Sequence, residues 1–121
     1  MEVSSTTLEN KVSFFRGLRD AVHVLAGDEK TQLAYLQPLS ADVDELALVF
    51  SDHYVPVQNW YAELGVDAQA AGALAELDRQ LESFSGAEHA GLWTYEALES
   101  AAQWQVVRDL AAKALLLMAD A

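Results

Sequence analysis

The 121-residue sequence contains no cysteine. That excludes disulfides, a thiol nucleophile and a thiolate metal site. Cations are scarce: seven Lys and Arg stand against nineteen Asp and Glu, for a net charge of −12. Ordinary nucleic-acid binding needs clustered cations to neutralise phosphates, so direct contact with DNA or RNA is not expected. Docking on anionic lipid is disfavoured for the same reason. Long apolar runs are also missing. Leu46 to Phe50 and Ala114 to Ala119 are the longest, well short of the roughly 20 residues that span a bilayer. The opening Met1-Glu2-Val3-Ser4-Ser5 has neither the basic start nor the apolar stretch of a secretory signal, and neither end carries a lipidation motif. A cytoplasmic location is therefore expected, and the richness in Ala and Leu suggests a bacterial chain. Breakers are few, with six Gly and two Pro.

Apolar residues make up 52% of the chain, including three Trp, four Tyr and four Phe. This is a globular composition despite the charge, and the length suits one domain over residues 1–121. Thr6 and Glu9 have capping-box spacing, and Leu8, Val12, Phe15, Leu18, Val22 and Leu25 follow at steps of three and four. The pattern predicts a helix from Thr6 to a stop at Gly27. Asp28 caps a short second helix, with Leu33 and Leu36 inward, which Pro38 ends. Ser40 is expected to cap a third over Ala41 to Tyr54, with Val43, Leu46, Ala47, Phe50 and Tyr54 facing the core. Val55 should be extended before Pro56, which suits the first turn of a fourth short helix ending at Gly65; the alternative is that the third and fourth are one helix kinked at Pro56. Asp67 caps the next, whose stripe is Ala70, Leu74, Leu77, Leu81 and Phe84, closed by Ser85-Gly86. Thr94 opens a single turn. Ser100, with Gln103 in capping-box position, is expected to cap the last helix, which buries Trp104, Val107, Leu110 or Ala111, Ala114, Leu117 and Met118. The expected fold is all-α, a compact bundle of five to seven helices, orthogonal or up-down.

No reaction is legible. Asp20 and His23 offer one carboxylate–histidine pair where a di-iron bundle needs two such pairs and two more carboxylates; a solvated pair is the simpler reading. Ser51-Asp52-His53 has the residue types of a hydrolytic triad, but consecutive residues on a helix point about 100° apart and form no relay. There is no Gly-x-Ser-x-Gly elbow and no phosphate loop. Catalytic residues, metals and cofactors are all expected to be absent, and the chain is read as a non-enzyme.

The charge distribution says more than its total. Between Thr31 and Asp78 there is no Lys or Arg, while Asp42, Asp44, Glu45, Asp52, Glu63, Asp67, Glu76 and Asp78 carry −8 of the −12. Asp42, Glu45, Val49 and Asp52 recur at steps of three, four and three, an acidic stripe on the side of the third helix away from its core residues. Two readings compete: a solvated face that favours solubility, and a docking surface for a basic protein. Under the second, Asp42, Glu45 and Asp52 hold the partner, with Trp60 and Tyr61 as the nearest anchors.

Three segments of the C-terminal half add to this: Leu77-Asp78-x-x-Leu81 with Ser85-Gly86, Leu92-Trp93-Thr94-x-Glu96-Ala97-Leu98, and Trp104-x-x-Val107-Arg108-x-Leu110-Ala111. Together they resemble short acidic helical bacterial proteins of the immunity type. The resemblance implies a protein that binds and neutralises a cognate toxin, and it carries no individual residue roles across. The leading expectation is thus an inhibitor of a basic, cytoplasm-acting toxin, such as a nuclease. The alternatives are a nucleic-acid mimic or regulatory adaptor for a basic DNA- or RNA-binding protein, and a self-associating structural module. The oligomeric state stays open.

Overall fold

A computed structural model describes residues 2–118. Seven α-helices occupy them: α1 (Glu2–Ala26), α2 (Glu29–Leu36), α3 (Asp44–Val57), α4 (Tyr61–Leu64), α5 (Ala68–Ser83), α6 (Tyr95–Ser100) and α7 (Ala102–Met118). Three 3₁₀ segments, Gln37–Leu39, Gln58–Trp60 and Ala87–Leu92, join them, and no strand occurs among the described residues. The all-helical expectation holds.

The long helices form a chain of neighbours. α3 packs on α1, α1 on α7, and α7 on α5. Each pair is antiparallel. His53 meets Phe14 near the end of α3, Arg19 donates to the Met118 carbonyl at the end of α7, and Phe84 meets Trp104. The fourth seam, between α3 and α5, is different: the two helices approach one another only marginally. The bundle is closed on three sides and open on the fourth.

The apolar stripes build the core as their spacing requires, except at the start of α1, where Leu8 is exposed and Val12 only half-buried. Leu18, Val22 and Leu25 of α1, Leu74 and Leu77 of α5, and Trp104, Val107, Ala111, Ala114 and Met118 of α7 are wholly buried. A buried Leu side chain contributes roughly 1.5–3 kcal/mol from apolar transfer, so these stripes outweigh any single cap. The expected caps divide. Asp28, Asp67 and Thr94 accept from the backbone N–H groups of Thr31, Ala70 and Ala97. Three others are corrected. Thr6 lies inside α1, which begins at Glu2. Ser40 is left-handed, at φ 52°, and closes the 3₁₀ turn after α2; α3 starts four residues later, with no side-chain cap. Ser100 is the last residue of α6 and donates to the Glu96 carbonyl, with Ala101 intervening before α7.

Pro56 sits inside the last turn of α3, and Val55 before it is helical rather than extended. Tyr54 and Val57 on either side are buried, and that packing overrides the local preference of a residue before proline. The helix then tightens into the Gln58–Trp60 3₁₀ turn, so α3 and α4 are separate elements.

One buried feature was invisible in the pattern. Gln32 and Arg108 are both inside. Arg108 donates to the Gln32 side-chain oxygen through two nitrogens and to the Leu98 carbonyl, and Gln32 donates to the Leu25 carbonyl. The network ties α1, α2, α6 and α7 together without a carboxylate.

Candidate functional site

The open seam between α3 and α5 is a groove of about 670 Å³. α3 lines one wall with Asp44, Ala47, Leu48, Phe50 and Ser51, and Asp42 lies just before it. α5 lines the other with Asp78, Leu81 and Glu82. Ser85, Gly86, Ala90 and Trp93 close the end. The periodicity of α5 explains its wall. Leu74, Leu77 and Leu81 point into the core, which leaves Asp78 and Glu82, one turn apart, on the flank that looks toward α3. The floor is apolar and aromatic. The rim has four carboxylates and no Lys, Arg or His.

Aromatic contacts and a hydrogen bond build the end of the groove. Trp93 stacks on Phe84 with ring centroids 5.0 Å apart, meets Trp104 edge-on, and donates its indole N–H to the Phe84 carbonyl at 2.7 Å. Gly86 turns the chain there at φ 106°, a conformation that favours glycine. Burial pushes the Asp78 carboxyl above its ordinary value, and the neighbouring Glu82 carboxylate adds to the effect. Leu48, on the opposite wall, is 53% exposed. None of the described residues covers this large apolar side chain.

The residues singled out from sequence do not form one surface. Asp42 belongs to the groove. It precedes α3, so the stripe it was expected to begin is not continuous on one helix. Glu45 and Asp52 sit on α3 outside the groove lining, Asp52 exposed and Glu45 half-buried. Trp60 packs toward α1 instead, and Tyr61 opens α4, which also contacts α1. Trp60 meets Phe14 edge-on at 5.7 Å between ring centroids, with the Lys11 ammonium 5.7 Å from its ring. The Tyr61 hydroxyl is buried with no partner among the described residues, and burial pushes its pKa up to about 12. Asp44, Asp78, Glu82 and Trp93 were not singled out. The signal for two of them was present: Asp78 and Glu82 are like charges four residues apart, directly beside an apolar stripe.

The histidines have other roles. His53 lies on Gly17 of α1, where an added Cβ would fall 2.4 Å from its ring, and its Nδ1 is 2.9 Å from the Val49 carbonyl. Ser51 faces the groove and His53 a smaller cleft against α1, so the contiguous Ser-Asp-His set is dispersed. Asp20 and His23 form no ion pair; among the described residues such pairs are Lys11–Glu63, His89–Glu88 and Lys113–Glu76. No group of three His, Asp or Glu among the described residues is arranged to hold a metal. No described helix is long and apolar enough to cross a membrane. Compared with family models, curated proteins and solved structures, the chain matches none.

Proposed function

We propose that this chain is a protein-binding inhibitor of the immunity type, which neutralises a basic toxin acting in the bacterial cytoplasm. The observation that carries the proposal is the open α3–α5 seam, where four carboxylates surround an apolar floor with no cation among the lining residues. A toxin that attacks nucleic acid presents a basic surface to phosphate. An acidic groove competes for the same cations, and the field of a −12 molecule speeds encounter. The apolar floor supplies the area that steering charges alone do not.

The sequence-derived acids take a steering role. Glu45 and Asp52 lie outside the groove lining, so Glu45→Gln with Asp52→Asn should slow association with little effect on dissociation. The decisive experiment is affinity capture from the source cells followed by co-expression. The captured protein should be basic and toxic when expressed alone, and this chain should restore growth. Capture of a basic nucleic-acid-binding protein whose effect on growth is not relieved would favour the adaptor reading and overturn inhibition.

A further inference from the structure

Resting on that proposal, we infer that the α3–α5 groove is an arginine receptor: it takes an apolar segment of the basic partner whose arginine enters between the two acidic walls and lies against Trp93. Three independent features converge on this occupant. The seam is a helix–helix interface that the described residues leave unfilled. Its uncovered apolar side chain, Leu48, which lines the groove over the buried Phe50, calls for an apolar partner. Its charge is of one sign, with Asp42 and Asp44 on one side and Asp78 and Glu82 on the other, and no lining cation offsets it.

Arginine fits better than lysine. A planar guanidinium donates to two carboxylates at once and stacks on an aromatic face, whereas an ammonium is a strongly hydrated point charge. Trp93 is held by its stack on Phe84 and its bond to the Phe84 carbonyl, so little freedom is lost when a ligand settles on it. The same arginine on a nuclease would hold a phosphate. The groove would therefore occupy the residue that the toxin needs for its substrate.

The probe is an acetylated, amidated pentapeptide of alternating leucine and arginine, followed through the Trp93 indole N–H resonance of the intact chain. Two control peptides carry lysine or glutamine in place of arginine. Saturable binding of the arginine peptide is expected, about threefold or more weaker binding of the lysine peptide, and none of the glutamine peptide. Asp78→Asn with Glu82→Gln should weaken binding at least about tenfold. Glu96→Gln with Glu99→Gln, on exposed acids outside the groove, should leave it unchanged. Leu48→Ser alters one exposed side chain and should also weaken binding, which keeps the test decisive if the double acidic variant melts early. Equal binding of the glutamine peptide, or undiminished binding by both groove variants, would overturn the inference. If the peptide binds as expected but no basic toxin is captured from cells, the receptor stands and the inhibitor proposal falls. A toxin captured and neutralised equally by the wild type and the groove variants would overturn the receptor and leave the inhibitor standing.

Discussion

At the scale of single residues, the Arg108 guanidinium and the Tyr61 hydroxyl, two buried polar groups among the described residues, shape stability in opposite ways. Arg108 is 8% exposed and is satisfied by Gln32 and the Leu98 carbonyl rather than by an acid. Gln32→Leu removes its main acceptor and leaves a buried charge under-bonded, at a cost of about 2–3 kcal/mol. Replacing both partners, Gln32→Leu with Arg108→Met, removes the unsatisfied group and should recover much of the loss. Denaturant melts of the two single variants and the double variant form the cycle; a double variant no better than the sum of the singles would refute the coupling. The Tyr61 hydroxyl is buried with no partner among the described residues, so Tyr61→Phe should be neutral or stabilising by up to about 1 kcal/mol. Its folded value near 12 lies above the ordinary 10. Ionisation therefore disfavours the fold, and the protection is full below pH 10 and lost as pH rises toward 12. Alkaline melting curves should show the fall in the wild type and a smaller one in Tyr61→Phe.

At the scale of elements, caps that bond can be separated from residues that only occupy cap-like positions. Asp67 accepts from the Ala70 N–H at the start of α5, so Asp67→Ala should cost about 1 kcal/mol. Ser100 caps nothing across the Ala101 break, and Ser100→Ala should fall within about 0.5 kcal/mol of wild type. Ser40 is left-handed, and Ser40→Gly should raise stability by up to about 1 kcal/mol. Thermal melts check all three, and a destabilised Ser40→Gly would contradict the assigned turn. The same contrast explains what the sequence revealed. The core stripes of α1, α5 and α7 were legible because burial imposes a strict period. Asp28, Asp67 and Thr94 were legible because a polar residue directly precedes a stripe. Ser40 and Ser100 misled because a serine before a helical pattern has the same spelling whether it caps the next helix or ends the previous structure. Val55 and Pro56 misled because Tyr54 and Val57 are held by the core. The groove was half legible: the cation-free stretch marked the region, but the spread of α3 from α5 depends on how α1 and α7 hold them, which no local spacing encodes. Arg108 and Gln32 are far apart in sequence, and nothing in either segment announces their contact.

At the scale of the whole molecule, a chain with a net charge of −12 repels itself. Between Thr31 and Asp78 the sequence places no cation, with Arg79 the first to follow, and the groove brings carboxylates from two helices to one rim. Cross-element ion pairs offer little compensation. Lys11–Glu63 at 2.6 Å and Lys113–Glu76 at 3.4 Å both involve exposed partners, and such pairs contribute about 0–1 kcal/mol each. Salt weakens the pairs and the repulsion together, so the sign of its effect on stability shows which dominates. The acids outnumber the bases by twelve, and repulsion acts over the whole surface at low ionic strength, where the screening length is about 30 Å at 0.01 M. Raising salt to 1 M shortens it to about 3 Å. The melting temperature should therefore rise with sodium chloride over this range. The rise should shrink when Asp42, Glu45 and Asp52 are replaced by Asn, Gln and Asn, because that variant begins with less repulsion to screen; at low salt it should melt no lower than the wild type. Calorimetry at several salt concentrations on both proteins measures each slope. A melting temperature that falls with salt would mean that the few ion pairs outweigh the acidic field, and the charge of the groove would then be internally balanced rather than waiting for a cation from outside.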